Sequence, residues 1–327
     1  MNNRRLSFLL MICLIFVLTA VPSLLPAQDK SFGEKNYRIY SVKQAKIINI
    51  QAIIDDFKDY DVILFGEEHN DAVAHYLEAL LVEKLYDKYG NSLALSLEMF
   101  DRDVQVVLDE YLSDCITERY FTKDARVWNN YEDYRPMIEF AKEKKINIIA
   151  ANAPFRYANM ARRKGQETLS SLTETAKSFF APLPYDTATG AHYEKLMKVM
   201  NTMPMPVIDD TAAGINTLKM PLMPAQSMPS LNINQGQSLW NATMAFSIHA
   251  YLSEHRNSKV LHINGKFHSD EYFGVPQQLR KYNPQIRYLV ISAFPDSIYP
   301  KMDFTEYKNL GDYIIITASG YSVDLEK

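Results

Sequence analysis

Short apolar runs alternate with amphipathic stretches along the chain. Apolar runs bordered by turn residues, most of them rich in β-branched side chains, occupy residues 61–65, 92–97, 146–151, 259–263, 287–292 and 312–317. Such runs predict buried β-strands. Between them, apolar residues recur every three or four positions over residues 72–89, 133–145 and 238–255, as they do in amphipathic helices. The alternation predicts an α/β fold with a mainly parallel β-sheet flanked by helices.

Residues 182–230 interrupt this alternation. Seven of the 15 prolines and seven of the 14 methionines of the chain lie there. Prolines at this density are incompatible with a regular helix or a central strand, so we predict an irregular insertion. Two interpretations are open: a flap over a flat apolar ligand or partner surface, or a surface insertion whose methionines cover the core.

The first 27 residues have the layout of a signal peptide. Arg4 and Arg5 precede an apolar run over residues 6–20, and Pro22 and Ala27 follow it. The run is short for a membrane span. A cysteine is missing from the position where a lipid would be attached. We therefore expect an exported bacterial protein, periplasmic or associated with the cell envelope and not a lipoprotein, whose residues 28–327 form a single domain.

Composition and charge narrow the function classes. The chain has 327 residues, of which 47% are hydrophobic, and its formal net charge is −4. A chain this apolar is not disordered, and without a basic cluster it is not expected to bind nucleic acid. No nucleophile elbow of the Gly-x-Ser-x-Gly type, Walker-type loop or Rossmann glycine pattern occurs, which argues against those enzyme classes.

Polar residues follow four of the predicted strands. Glu68 and His69 come after the first, Glu98 after the second, Asn152 after the third and His268 after the fourth. Because the carboxyl ends of parallel strands meet at one edge, these side chains are predicted to form one site. Two histidines with carboxylates suit a divalent metal or acid–base chemistry. The alternative is that Glu68 and His69 only cap the next helix and that the polar residues satisfy loops of a binding module.

An aromatic group leads into one of the predicted helices. It contains Trp128, Tyr131 and Tyr134, and the two tyrosines are three residues apart, so they share a helical face. Packing against the sheet is the ordinary explanation. The alternative is an aromatic platform whose phenol ligates ferric iron.

Seven motifs, taken in order, resemble those of the ChaN-like haem-binding uptake proteins. This family is part of a superfamily that includes the Tiki/TraB proteins and the erythromycin esterases. The matching positions lie within about residues 40–295. They are 66–69, 75, 96–105, 128–136, 151–156, 240–245 and 262–268.

The resemblance implies a surface haem site, iron ligation by a tyrosine and a homodimer with two haems stacked at the interface. It also implies iron uptake at a bacterial envelope, with an outer-membrane uptake partner. Tyr134 is the first candidate ligand because it lies in a matching motif, followed by Tyr131 and Tyr193. Trp128 and Arg135 are the other candidate haem contacts. The function expected from the resemblance is an exported haem-binding protein of iron or haem acquisition or handling, rather than an enzyme.

The Tiki-like relatives imply an alternative function. They are metal-dependent proteases, and the positions that match their motifs are His69, Glu98 and His268. A metal-dependent hydrolase would hold its divalent metal, and carry out catalysis, through these residues together with Glu68.

Overall fold

The computed structural model describes residues 32–202, 232–297, 299–301 and 303–320 and shows an eight-stranded β-sheet. The predicted signal peptide and residues 203–230 of the predicted insertion lie outside the described residues. The strands are β1 Tyr37–Ser41, β2 Lys46–Ile48, β3 Val62–Glu67, β4 Leu93–Asp101, β5 Asn147–Asn152, β6 Lys259–Gly265, β7 Tyr288–Asp296 and β8 Tyr313–Ala318. Their order in the sheet is β2-β1-β8-β7-β3-β6-β4-β5.

Six neighbouring strands, from β8 to β5, are parallel, and β1 and β2 add an antiparallel edge. The six strands predicted from the apolar runs are these parallel ones, and the predicted α/β class is confirmed. Strands covered on both faces are apolar throughout, which made them recognisable in the sequence. β1 and β2 were not predicted, because β2 is only three residues long and is not fully buried.

Helices connect and cover the strands. They are α1 Ile50–Asp56, α2 Ala72–Tyr89, α3 Gln105–Leu112, α4 Glu118–Asp124, α5 Tyr131–Lys144, α6 Phe155–Lys164, α7 Glu174–Lys177, α8 Gly190–Thr202, α9 Ile233–Glu254 and α10 Val275–Tyr282. None of these described helices combines the length and the hydropathy that a membrane crossing requires. The described residues from Gly33 onward belong to one compact unit.

The core lies between the sheet and its helices. On one face, α9 and α10 pack on alternate residues of the strands, among them Val62 and Leu64 of β3. α2 contacts β4, β6 and β8 and packs against α5. Burying one such Val or Leu side chain contributes about 1.5–3 kcal/mol, so these layers hold the strands in place.

Helix α8 departs from the irregular structure expected over residues 182–230. No proline lies between Pro184 and Pro204, so the backbone of residues 190–202 is free to form a regular helix. The Pro184 peptide bond before it is cis. Residues 190–202 of the predicted insertion are therefore helical, whereas residues 182–189 before them form neither helix nor strand.

The edge of the sheet formed by β5 is partly protected by the side chain of Gln105. Gln105, which belongs to one of the matching motifs, accepts a hydrogen bond from the Ala150 N–H at 2.7 Å and donates one to the Ile148 carbonyl at 2.9 Å. These are backbone groups of β5, the last strand of the sheet. Gln105 thus satisfies part of an edge that would otherwise be open to pairing with another chain.

Candidate functional site

The carboxyl ends of β3, β6 and β4 lie side by side and bring three of the predicted site residues together. Glu98 Oε2 accepts a hydrogen bond from the Gly265 N–H at 2.7 Å, and Glu98 Oε1 lies 3.2 Å from His268 Nε2. The His69 ring lies directly against Gly265, where an added Cβ would be 2.7 Å from His69 Nε2. A glycine at this position therefore leaves the space that His69 occupies.

His268 is held from its other side as well. Its Nδ1 lies 2.6 Å from Asn241 Oδ1 on α9. Because an amide oxygen only accepts hydrogen bonds, Nδ1 carries the proton of this bond. A helix from one face of the sheet therefore holds a proton on Nδ1 of a histidine that follows β6, while Nε2 faces Glu98.

Two other predicted residues do not join this group. Glu68 is exposed, whereas its neighbour Glu67 is fully buried at the last position of β3. Asn152 is buried, and its Oδ1 accepts a hydrogen bond from the Ala153 N–H at 2.9 Å.

Neither Glu68 nor His69 caps α2 through its side chain. The N-cap residue is Asp71, whose carboxylate accepts hydrogen bonds from the Val73 N–H and the Thr317 hydroxyl. The metal role of Glu68 stays a prediction.

A second group of buried polar side chains lies beneath His69 and was not predicted as a site. Glu67 Oε1 accepts hydrogen bonds from the Tyr134 hydroxyl at 2.6 Å and from His69 Nδ1 at 2.9 Å. Glu67 Oε2 lies 3.1 Å from His75 Nδ1, which is 3.2 Å from Glu78 Oε2. We call Glu67, His75 and Glu78 the buried triad.

The buried triad left a signal in the sequence. His75 and Glu78 are three residues apart on α2, on the helix face that also carries the buried Leu81, Val82 and Leu85. Polar side chains within an otherwise apolar face must be paired or must bind something, because burial removes their hydration. A search of the apolar face of this predicted helix for polar residues would have identified both His75 and Glu78.

The charges of the two groups differ in their physical origin. Burial and the nearby charge of Glu78 raise the pKa of Glu67 to about 7, and burial likewise raises the pKa of Glu78 to about 7. Burial opposes protonation of His69, but its hydrogen bond to Glu67 and the charge of Glu98 prevail and raise its pKa to about 9. Burial opposes ionisation of Glu98, yet His268 and His69 lower its pKa to about 2. His69 is therefore cationic and Glu98 anionic at neutral pH.

The candidate tyrosines have different environments. Tyr134 is 2% exposed and bonded to Glu67, and Tyr131 is buried with its hydroxyl 3.0 Å from Glu118. Tyr193, on α8, is 42% exposed. Arg135 forms an ion pair with Glu118, and the half-buried Trp128 ring packs edge-on against His69 at 5.0 Å.

A family model described as haem-binding uptake, Tiki superfamily, ChaN matches residues 53–279. The chain belongs to this family. The assignment to ChaN-like proteins made from the seven motifs is confirmed, and the match covers all seven of them together with most of the described helices. None of the curated proteins is significantly similar to the chain.

Two solved structures resemble this ChaN-family protein. One is described as cofacial heme binding to ChaN of Campylobacter jejuni, with a TM-score of 0.58 and 17% identity, over 87% of this chain and 98% of that one. The other is the type III effector HopBA1, with a TM-score of 0.45 and 12% identity, over 81% of this chain and 91% of that one. At this identity, the similarity to ChaN establishes the shared fold. The similarity to the effector is too low to support further conclusions.

Proposed function

We propose that this ChaN-family protein is an exported haem-binding protein that takes part in iron or haem acquisition or handling. The observation that carries the proposal is the family match over residues 53–279. Export rests on the basic and apolar layout of the first 27 residues. The proposal includes a homodimer with haems at its interface, in line with the cofacial heme binding described for ChaN of Campylobacter jejuni. The outer-membrane uptake partner stays a prediction.

Among the three candidate tyrosines, Tyr193 best fits a surface haem. A phenol that ligates ferric iron must reach the haem iron and give up its proton. Burial and the negative charge of Glu67 raise the pKa of Tyr134 above its ordinary value, and burial with Glu118 does the same for Tyr131. Both hydroxyls already donate to a carboxylate, which ties them to structural roles. We therefore place Tyr193 ahead of Tyr134 as the proposed iron ligand.

The surroundings of Tyr193 support this choice. Met197 lies one turn further along α8, on the same helix face as Tyr193, and its side chain is half-buried. Lys198 is exposed on the next position. The helix is anchored by His192, whose ring stacks on Phe273 with the centroids 5.1 Å apart. An apolar thioether and a cation beside an exposed phenol suit the flat ring and the carboxylate groups of haem.

A hemin titration tests the proposal. Wild-type protein should show a defined Soret band that reaches a stoichiometric end point. Tyr193→Phe should alter the band, because the phenol oxygen is lost while the ring remains. Tyr120→Phe is the matched control, since Tyr120 is 56% exposed on α4, and it should leave the band unchanged.

Two results would count against different parts of this proposal. Featureless absorbance without an end point in the wild-type protein rejects haem binding itself. A band altered by Tyr134→Phe and untouched by Tyr193→Phe rejects Tyr193 as the ligand and returns that role to Tyr134. Size-exclusion chromatography with light scattering, with and without hemin, tests the dimer separately.

A metal-dependent hydrolase is the second candidate, favoured by the convergence of His69, Glu98 and His268. Because His69 Nδ1 lies 2.9 Å from Glu67 Oε1 and the pKa of the ring is raised, a metal bound at Nε2 would have to displace the second proton of the ring. Elemental analysis of a His69→Ala/His268→Ala double variant tests it. Loss of a metal that the wild-type protein carries supports the hydrolase, and unchanged metal content rejects it.

A further inference from the structure

The buried triad contains more carboxylate oxygens than hydrogen-bond donors. Glu67 and Glu78 are each 1% exposed, so water does not reach their charges. Glu67 Oε1 is satisfied by Tyr134 and His69, but Glu67 Oε2 and Glu78 Oε1 have no hydrogen-bond partner among the described residues. An unpaired buried carboxylate oxygen is costly, so the charge of the two carboxylates must be neutralised by a proton or by a cation.

The hydrogen bond on the far side of His75 determines its tautomer. His75 Nε2 lies 3.1 Å from the main-chain carbonyl oxygen of His69. A carbonyl oxygen only accepts, so Nε2 carries a hydrogen. In the neutral ring, Nδ1 is then a lone pair, and it faces one oxygen of Glu67 at 3.1 Å and one of Glu78 at 3.2 Å. Three electron-rich atoms thus point at one another.

Spacing and support both suit a cation among these atoms. The three side chains offer ligand atoms that all lie within 4.8 Å of one another. Ligand atoms around a tetrahedral metal with bonds of about 2.0–2.1 Å are about 3.3–3.5 Å apart, close to the two distances at His75 Nδ1. Metal-binding histidines usually donate their other N–H to a carbonyl or carboxylate, as His75 does, and ligating carboxylates are themselves hydrogen-bonded, as Glu67 is.

We propose that Glu67, His75 and Glu78 bind one divalent transition-metal cation, of the class of Zn²⁺, Mn²⁺ or Fe²⁺. One imidazole nitrogen and two carboxylates are the donor set that these ions share. Asp133 lies on the adjoining helix α5, with its Oδ2 unpartnered among the described residues, and adds negative charge near His75. This set differs from His69, Glu98 and His268, and it does not depend on haem binding.

The proposed cation would also position the residue above it. Glu67 uses one carboxylate oxygen towards the triad and the other towards His69 Nδ1. Fixing Glu67 therefore fixes the His69 ring, whose Nε2 faces Gly265 beside Glu98. The triad acts as a buried support for the strand-end residues.

Metal uptake by haem-free full-length mature protein tests the inference. After chelator treatment and dialysis, Zn²⁺ and Mn²⁺ are titrated by calorimetry, and bound metal is counted by elemental analysis. Wild-type protein should take up one equivalent per chain. Glu78→Gln should weaken binding by about 100-fold or more, because it removes a ligand rather than a supporting group. Glu83→Gln, at an exposed position of the same helix, is the matched control and should bind like wild type.

Two outcomes would overturn the inference. Wild-type protein that takes up none of these cations stoichiometrically shows that protons neutralise the triad, and this result does not depend on whether any variant folds. Metal that survives Glu78→Gln in a folded variant, judged by circular dichroism, but is lost in His268→Ala lies at the strand ends instead. Retention in His268→Ala together with loss in Glu78→Gln supports the triad as the site.

Discussion

Two buried carboxylate–histidine groups lie beside each other in this protein and behave in opposite ways. Glu98 has a partner for each oxygen, the Gly265 N–H and His268, and its pKa is lowered to about 2. Glu67 and Glu78 share His75 between them, and their pKa values are raised to about 7. Burial is similar in both groups. The charge of the neighbours therefore decides which form is stable, because Glu98 faces His268 and His69 whereas the charge of Glu78 acts on Glu67.

The largest effect on the unfolding free energy is expected at Glu98, whose two carboxylate oxygens both have partners. Glu98→Gln keeps the shape of the side chain but removes the charge that His268 and the Gly265 N–H are arranged around. Breaking a buried pair by removing one partner costs about 3–5 kcal/mol, and we expect a loss of unfolding free energy of this size. Urea denaturation at neutral pH measures it. A loss no greater than that of an exposed substitution such as Glu83→Gln would show that Glu98 is not stabilised by its partners.

A third buried histidine extends the comparison to a ring without a carboxylate partner. His262 lies against Ser96, and burial lowers its pKa to about 4. A lowered pKa in the folded state means that the neutral ring stabilises the fold fully above the unfolded value of about 6.5. As the pH falls from about 6.5 to 4, we expect a loss of at most about 3 kcal/mol.

Stability measured at several pH values, with His262→Gln beside wild type, tests this expectation. The variant should lose less unfolding free energy between pH 6.5 and 4, since it has no ring to protonate. Parallel pH profiles of the two proteins would mean that other groups cause the acid sensitivity.

The smallest effect on the unfolding free energy is expected at Glu78 of the buried triad. In metal-free protein, Glu78→Gln removes one of two crowded carboxylates and supplies an amide N–H that can donate to Glu67 or His75. We expect the unfolding free energy to change by less than about 1 kcal/mol, or to rise. Chelator-treated protein and urea denaturation provide the measurement. A loss as large as that of Glu98→Gln would remove the distinction between the two groups.

The sequence predicted the parallel strands and the convergence of His69, Glu98 and His268, because both follow from local patterns and the shared polarity of the strands. It missed the end of β3. Gly66 resembles a turn residue after the apolar run, yet it belongs to the strand, where an added Cβ would lie 2.7 Å from Ser269 Oγ and 2.8 Å from Lys266 Cα. Close approach of a distant segment, rather than a turn, explains this glycine.

This difference in where β3 ends changes the site. With β3 extended to Glu67, this carboxylate is buried and Glu68 is exposed, whereas the strand ending at Phe65 left both side chains in a loop. The alternation of side chains in a strand makes such assignments sensitive to single residues. Tyr134 was a similar case, since its partner Glu67 is 67 residues away and no local pattern indicates their hydrogen bond.

The hydrogen bond from Thr317 to Asp71 joins strand β8 to the start of α2 across 246 residues of sequence. During synthesis, this connection forms only after the chain as far as Thr317 has left the ribosome. The N-terminus of the helix that carries His75 and Glu78 is therefore completed late. A nascent chain that stops before β8 contains all three residues of the buried triad but lacks the hydrogen bond from Thr317 to the N-cap residue of that helix.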